Sequence, residues 1–341
     1  MSHSNRHSNS HSNSSLNCFA NCMKKYELDY VLNVVPDKGP SPHLTFGVMA
    51  HDVMYKAGKL RDEVEDRVVL PGEYSPVIPS EVLYPELKEF FGISSWERYF
   101  TSVIKQVAEY EKEAKAMLKA PLVERELKLQ LTVEELRAMG VYKVDQPFVG
   151  VIDLLIVSAL NNEAIILDYK FSSGKKDQSD FDLNSQLFLY ALFVNKKYGV
   201  PVRNIRVGYI DIPKKEFEKP TVLANGTLSR SKSQNVSAEF YAKAVKAVHG
   251  DDAKYNCEPG GYYYDCYCEL MNNKSAYMQI QYVDEGIYGN VLQDLYDAAQ
   301  MIDNMKRNHL PFLRKYDSYS CKSCEYLSKC KPWLGVDQWG G

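Results

Sequence analysis

Two apolar runs in the middle of the chain predict a β-hairpin. The stretch 150–171 reads GVIDLLIVSALNNEAIILDYKF, and a polar break at 161–162 separates its two halves. Short runs of valine, isoleucine and leucine bounded by turn residues are typical of strands that are buried on both faces. Each run nevertheless contains one aspartate, Asp153 in the first and Asp168 in the second, and Lys170 follows two residues later. Charged side chains in such strands need a chemical reason.

The apolar pattern on either side of this hairpin predicts several helices and two further strands. Helical spacing of apolar residues occurs at 16–32, 46–60, 96–120, 182–199, 237–248 and 286–308. Strand-like runs occur at 121–131 and 204–213. This order of elements predicts a mixed central sheet flanked by helices, which is the α/β or α+β class.

The remaining segments are polar or irregular, and we interpret them as a tail and two insertions. Residues 1–15 are rich in serine, histidine and asparagine, which predicts a disordered tail. A metal site on its regularly spaced histidines is the less favoured interpretation; these are His3, His7 and His11. The segments at about 61–95 and 215–315 are predicted insertions, so that 16–341 forms a single domain.

The composition excludes some classes of function and suggests a compartment. The net charge of −3 provides no global field that would attract nucleic acid, so any such binding must depend on local patches. No apolar run is long enough to span a membrane, and no secretory signal is recognisable, which predicts a cytoplasmic protein without a membrane partner. In a reducing compartment, the eight cysteines are expected to include metal ligands.

The register of the hairpin decides how its charged residues meet. With a four-residue loop at 159–162, Asp153 lies opposite Asp168, whereas a two-residue turn at 161–162 places it opposite Lys170. Both registers bring the three side chains to one side of the sheet, because strand residues two apart share a face. Two buried carboxylates repel each other, and a divalent cation such as Mg²⁺ would remove this conflict. The alternative is a simple aspartate–lysine ion pair at a strand end.

These residues, together with others along the chain, resemble the motifs of the PD-(D/E)XK nuclease superfamily. The closest resemblance is to its RecB-type branch, which includes the AddB nuclease domain, exonuclease V and the CRISPR-associated RecB-like nucleases. The matching motifs are G-x-x-x-H at 47–51, G-x-x-D at 150–153, D-x-K at 168–170 and Q-x-x-x-Y at 186–190. This branch often has a further glutamate on the strand before the first aspartate, and both Glu124 and Glu126 remain open for that role.

The resemblance implies a restriction-endonuclease-like core and an Mg²⁺- or Mn²⁺-dependent deoxyribonuclease. The residues with an implied catalytic role are Asp153, Asp168, Lys170, Gln186 and Tyr190. The implied metal ligands are His51, Asp153, Asp168 and the carbonyl group of Tyr169. In this scheme Lys170 orients or deprotonates the attacking water, while Gln186 and Tyr190 contact the DNA or support the site.

Three cysteines near the C-terminal end indicate a second, different metal centre. They are spaced C-x2-C-x5-C, which leaves zinc and an iron–sulfur cluster equally open; they are Cys321, Cys324 and Cys330. The resemblance implies a [4Fe–4S] cluster with a fourth ligand in the N-terminal helix. The phrase SSLNCFANCMKKY places Cys22 there, with Cys18 as its rival. The cluster would comprise 18–26 and 321–333 and would join the two ends of the domain.

Other cysteines and lysines are weaker candidates. A second metal site in the tyrosine-rich segment is less favoured than free thiols in an irregular insertion; its cysteines are Cys257, Cys266 and Cys268. Some lysines are candidate phosphate contacts, or equally solvated surface charges; they are Lys24, Lys25, Lys175 and Lys176.

The resemblance favours an exonuclease acting in DNA recombination, repair or replication. The phrase GTLSRSKSQNVSAEFY is similar to segments of phage-encoded nucleases, which implies a bacterial or infected-cell setting, where a helicase or recombinase partner would fit. One alternative is a site-specific endonuclease of the same fold, with base-reading elements within 215–315. The other is a non-catalytic nucleic-acid-binding protein with a structural four-cysteine site, although the intact D-x-K motif argues against it.

Overall fold

The central element of the fold is a mixed β-sheet. The computed structural model describes residues 9–63, 73, 75–172, 181, 184–315 and 318–330. Within these residues the sheet has six strands: β1 (His11–Ser12), β2 (Leu122–Leu131), β3 (Phe148–Ser158), β4 (Glu163–Ser172), β5 (Ile205–Pro213) and β6 (Tyr277–Tyr282). The pairs β1–β3 and β4–β5 are parallel, and the other pairs are antiparallel. The predicted mixed sheet is therefore confirmed.

Helices cover both faces of the sheet. In the described part of the chain they are α1 (Asn13–Asn21), α2 (Met23–Tyr26), α3 (Pro42–Glu63), α4 (Pro85–Phe91), α5 (Trp96–Ala116), α6 (Val133–Ala138), α7 (Ser185–Tyr198), α8 (Ala238–His249), α9 (Tyr264–Leu270), α10 (Glu285–Arg307), α11 (Ser318–Ser323) and α12 (Leu327–Cys330). The first core lies where α1, α7 and α10 pack on one face, and the second lies where α3 and α5 pack on the other. Two helical layers around a sheet confirm the predicted α/β class. No helix in the described residues is long and apolar enough to cross a membrane.

Helix α7 shows how the sequence determines the position of an element. Its segment 187–194 is buried at every residue, because the helix lies between the sheet and the helices α1 and α10. A helix that is apolar on all sides is stable only in such an interior position. It ends at Gly199, whose φ of 70° is the left-handed conformation that a helix end favours, and Pro201 follows.

The hairpin β3–β4 adopts the first of the two predicted registers. Ser158 pairs with Glu163 across the four-residue loop, and regular pairing ends at Leu154 and Leu167. Continuing this register places Asp153 level with Asp168, so the register that places Asp153 opposite Lys170 is wrong. The two strands separate where the carboxylates lie, and the separation opens space between them.

The predicted disordered tail is wrong for residues 9–15. His11 is fully buried, with its Nε2 3.0 Å from Oδ2 of Asp303 on α10. Strand β1 pairs with the beginning of β3, and Ser12 forms a reciprocal capping box with Ser15 at the start of α1. Composition cannot predict these polar contacts, because one buried histidine with a distant partner leaves the segment as polar as a disordered tail. Residues 1–8, with His3 and His7, lie outside the described residues.

Two further boundaries differ from the sequence prediction. The insertion predicted at 215–315 ends near residue 276, because β6 pairs with β5 and α10 packs in the first core. The segment between β5 and β6 instead forms a small cluster of its own, centred on Tyr241 and Tyr263. The helix predicted at 16–32 is interrupted at Cys22, which has extended backbone geometry. In the predicted excursion 61–95, α3 continues to Glu63 and α4 is helical, while 64–72 and 74 lie outside the described residues.

Candidate metal and catalytic site

The strands β2 and β3 exchange faces at the level of Glu126 and Asp153. Val123 of β2 packs in the second core, whereas Leu127, four residues later, packs in the first. On β3, Ile152 lies in the first core and Leu154 in the second. Residues two or four apart in a regular strand share a face, so both strands turn over at this level. The left-handed φ of 47° at Glu126 accommodates the turn.

Three ligand groups converge at this reversal. One ligand atom each from His51, Glu126 and Asp153 lies within 4.8 Å of the others, which makes this the one such group among the described residues. His51 reaches the site from α3, with its Nδ1 3.4 Å from Oδ1 of Asp153. Its side chain remains 34% exposed, so the site is open to solvent. Two carboxylates and one imidazole around an open position are a donor set that suits Mg²⁺ or Mn²⁺.

The structure places the two candidates for the additional acidic residue, Glu124 and Glu126, in different surroundings. Glu126 is one of the three converging ligands. Glu124, two residues earlier, instead accepts a hydrogen bond from the hydroxyl of Tyr198 on α7. Its carboxylate is thereby engaged on the other side of the strand reversal. The geometry favours Glu126 as the additional acidic ligand.

The carboxylates of Glu126 and Asp153 repel each other at this position. Burial and then the charge of Asp153 raise the pKa of Glu126. Burial tends to lower the pKa of His51, but its hydrogen bond and attraction to Asp153 outweigh this effect and raise it. Carboxylates that repel each other in a partly buried position are the electrostatic arrangement that a divalent ion relieves.

The second carboxylate, Asp168, lies beside this group and belongs to a polar chain. Its Oδ2 is 2.6 Å from Nζ of Lys170, and Nζ also donates to Oε1 of Gln186 at 3.0 Å. The amide of Gln186 in turn donates to the hydroxyl of Tyr190 at 2.7 Å. Burial raises the pKa of Asp168 to about 6, although the Lys170 ammonium acts in the opposite direction. The side chains of D-x-K and Q-x-x-x-Y therefore meet in one chain that fixes the lysine.

The sequence profile of the PD-(D/E)XK nuclease superfamily matches residues 10–331. The chain belongs to this superfamily. No curated protein matches the sequence. Among solved structures, it is similar to a crystal structure from Eubacterium rectale of a protein provisionally named an exonuclease, with a TM-score of 0.40 and 9% identity over 95% of this chain and 97% of that chain.

Tyr169, between the D-x-K aspartate and lysine of this PD-(D/E)XK chain, links the site to a buried ionic network. Its backbone N–H donates to Oδ2 of Asp153 at 2.8 Å, and its hydroxyl donates to Oε1 of Glu111 at 2.8 Å. Glu111 is held by Arg61 at 2.8 Å and Arg125 at 2.7 Å. Burial alone would raise the pKa of Glu111, but the two guanidinium groups hold it at about 2.

The ionic network around Glu111 could not be predicted from the sequence. Arg125 also forms a two-pronged ion pair with Asp62, and its guanidinium occupies the space beside Gly58. A Cβ at Gly58 would lie 2.5 Å from the arginine Cζ. The partners come from α3, α5 and β2, and arginine and glutamate are common on surface helices. The sequence feature that points to it is Arg125, a charged residue within a predicted strand of alternating polar and apolar residues.

One motif glycine of the PD-(D/E)XK chain has a clear steric role, and the other does not. A Cβ on Gly150 would lie 2.8 Å from the ring of Phe193 and 3.0 Å from the ring of Tyr190. Gly150 therefore allows α7 to approach β3 and place Tyr190 beside Lys170. A Cβ on Gly47, one turn before His51, would meet open space.

The four cysteines of the predicted cluster come from the two ends of the chain and are neighbours in space. Burial raises the pKa of the Cys330 thiol, and Cys22, Cys324 and Cys321 act on it in the same direction, against Arg314. Cys22 and Cys321 likewise act on Cys324. The main charged neighbours of Cys18 are Lys25, Asp29, Cys22 and Glu325. This arrangement favours Cys22 over Cys18.

The weaker sequence candidates have other surroundings. Cys266 is buried in the small cluster between β5 and β6, with its sulfur near the carbonyl of Ser231. Lys24 pairs with Glu27, and Lys25 pairs with Glu325 at 3.1 Å. Lys175 and Lys176 lie outside the described residues.

The difference between the two glutamates gives a testable prediction. Glu126→Gln is expected to weaken Mn²⁺ binding at least about tenfold, because it removes a charged ligand from the cluster. Glu124→Gln is the matched control on the same strand and should change the dissociation constant by less than about twofold, since its carboxylate bonds to Tyr198. Isothermal titration with Mn²⁺ measures both. A larger loss in Glu124→Gln than in Glu126→Gln would contradict the assignment.

Proposed function

We propose that this protein is a metal-dependent DNA exonuclease. The observation that carries the proposal is the convergence of His51, Glu126 and Asp153 next to a lysine that Asp168 and Gln186 fix in place. Membership of a nuclease superfamily supports phosphodiester hydrolysis as the reaction. We take Mg²⁺ or Mn²⁺ as the metal because the ligands are carboxylate oxygens and one imidazole.

The chain's own residues can orient the reactants. His51, Glu126 and Asp153 would hold the metal, with Asp168 and the carbonyl group of Tyr169 as further ligands. A bound ion of this kind lowers the pKa of water and stabilises negative charge that develops on phosphate oxygens.

Lys170, held beside Asp168, would donate a hydrogen bond to the attacking water or to a phosphate oxygen. Gln186 and Tyr190 hold the Lys170 ammonium at a fixed position. In hydrolysis the water oxygen forms a bond to phosphorus, the bridging P–O bond breaks, and the leaving oxygen takes a proton.

We further propose that the protein belongs to the RecB-type branch and carries a [4Fe–4S] cluster on Cys22, Cys321, Cys324 and Cys330. The proximity of these thiols supports a shared centre. The choice of a [4Fe–4S] cluster over a single zinc ion rests on the resemblance to the iron–sulfur members of that branch, because four thiolates suit either centre. A role in phage recombination or repair, with a helicase or recombinase partner, remains a prediction.

End dependence tests the proposed activity. We expect Mg²⁺-dependent release of nucleotides from end-labelled linear DNA, no release with EDTA, and no cleavage of closed circular DNA under the same conditions. Single- and double-stranded substrates are compared in parallel, and Asp153→Asn serves as the inactive control. Efficient cutting of circular DNA would instead indicate an endonuclease. Binding without any cleavage, at full metal occupancy, would indicate a non-catalytic binding protein.

A further inference from the structure

The edge of β3 has a gap directly beside the catalytic residues. Strand β2 occupies one edge of β3 along its length, so β1 and β4 must both lie on the other edge. On that edge, β1 pairs at 148–149 and β4 pairs at 154–158. Within the described chain, the residues between these two pairings have no partner strand there. Unpaired strand edges present backbone hydrogen-bonding groups to a ligand.

This gap opens into a cavity of about 500 Å³, which we call the edge slot. The residues that line it are Ser12, Asn13, Ser14, Lys128, Leu129, Gln130, Val149, Gly150, Val151, Gln186 and Tyr190. Its volume is within the range of about 300–1,000 Å³ that is typical of pockets for small organic ligands, and a nucleotide is of that size. The slot shares Gln186 and Tyr190 with the chain that holds Lys170. A group in the slot is therefore adjacent to the phosphate that Lys170 would contact.

The chemistry of the lining matches a nucleotide. Lys128 and Gln130 project from β2 opposite Val151 and Val149, on the side away from the buried Leu129. Lys128 has no carboxylate partner within ion-pair distance among the described residues, although its charge lowers the pKa of the nearby Glu126, and no carboxylate lines the slot. An unpaired lysine suits a phosphate group, an apolar floor of valines suits the face of a base or a sugar, and the Gln130 amide suits a base edge.

We infer that the edge slot binds one nucleotide of a single DNA strand, next to the nucleotide linkage that is cut. Lys128 would contact its phosphate and Gln130 its base. The inference deepens the proposed function and rests on it. Residues 12–14 line the far side of the slot, whose volume matches one nucleotide and not a base pair. The slot thereby selects an unpaired strand, and the N-terminal segment becomes part of the substrate site.

Binding measurements with abasic DNA test the inference independently of hydrolysis. Dissociation constants are measured by fluorescence anisotropy in Ca²⁺, using single-stranded oligonucleotides that lack the base at one of the first four positions. In the wild type, loss of the base at one position should weaken binding about tenfold, while loss at the others has little effect. In Gln130→Leu the same base loss should cause no further weakening. Lys128→Ala should weaken binding of all sequences and reduce the slope of log affinity against log salt by about 1.

The matched control is Lys112→Ala, which removes an exposed lysine on α5, away from the slot. It should leave both the salt slope and the abasic pattern unchanged. A flat abasic profile in the wild type, or the same salt slope in Lys128→Ala and the wild type, would overturn the slot as a nucleotide site. Absence of hydrolysis by a wild-type protein that still shows the abasic pattern would instead overturn the nuclease activity and leave the slot as a binding site.

Discussion

Replacement of Lys170 by alanine is expected to abolish DNA hydrolysis while leaving metal binding intact. The ammonium group lies between Asp168 and Gln186, and in the proposed mechanism its removal takes away a cation from the place where charge develops. Loss of one such preorganised donor lowers kcat by about 10²–10³-fold. Single-turnover cleavage of end-labelled DNA at saturating Mn²⁺ measures the loss, and titration of Mn²⁺ shows that the ligands still function.

The matched control for this change is Lys196→Ala on α7. Lys196 is exposed, so its removal alters the net charge equally without affecting the site. It should retain wild-type cleavage within about twofold, as is usual for surface changes. If Lys170→Ala cleaves DNA at a rate close to that of Lys196→Ala, Lys170 has no part in the chemistry.

Replacement of Cys324 by serine is expected to remove the iron–sulfur cluster and lower thermal stability. Protein purified without oxygen should contain about four irons per chain and absorb broadly near about 400 nm, and the variant should lose both signals. A covalent link between Cys22 and Cys324 closes a loop of about 300 residues, and a cross-link of this kind stabilises a fold by about 5 kcal/mol at most. Iron analysis and a melting curve measure the two effects.

Activity should fall less in this variant than in Lys170→Ala, because other contacts join the same two segments. The Asp37 N–H donates to the carbonyl of Glu325 at 2.7 Å, and the Tyr326 hydroxyl donates to Oδ1 of Asp29 at 2.8 Å. Cys18→Ser is the control that distinguishes Cys22 from Cys18 as the fourth ligand, and this variant should keep its iron. If the purified wild-type protein contains one zinc and no iron, the four cysteines form a zinc site and not a cluster. If it contains neither metal, the proposed metal centre is wrong.

The parts of the fold that depend on local sequence were predictable. The hairpin, the long helices and the D-x-K and Q-x-x-x-Y elements follow from apolar spacing and a polar break. Gln186 and Tyr190 were expected to contact the DNA or support the site, but their hydrogen-bonded chain with Lys170 was not predicted. The role of each of these residues in catalysis stays a prediction.

The parts that depend on distant partners were not predictable. The His11 contact to Asp303 joins residues 292 positions apart, and nothing in either neighbourhood indicates the other. Helix α10 was expected as a helix, but its place in the first core depends on α7, about a hundred residues earlier. The choice between Glu124 and Glu126 depended on a reversal of strand faces, which a period-two pattern cannot express.

Glu126 adopts a left-handed backbone conformation, which costs a residue with a side chain about 1–2 kcal/mol relative to the ordinary region. Glycine adopts this conformation without that penalty. Glu126→Gly would therefore remove both the backbone strain and the repulsion from Asp153. The same change would remove one of the proposed metal ligands. Under the proposed function, metal binding therefore favours glutamate at this position while the local backbone geometry favours glycine.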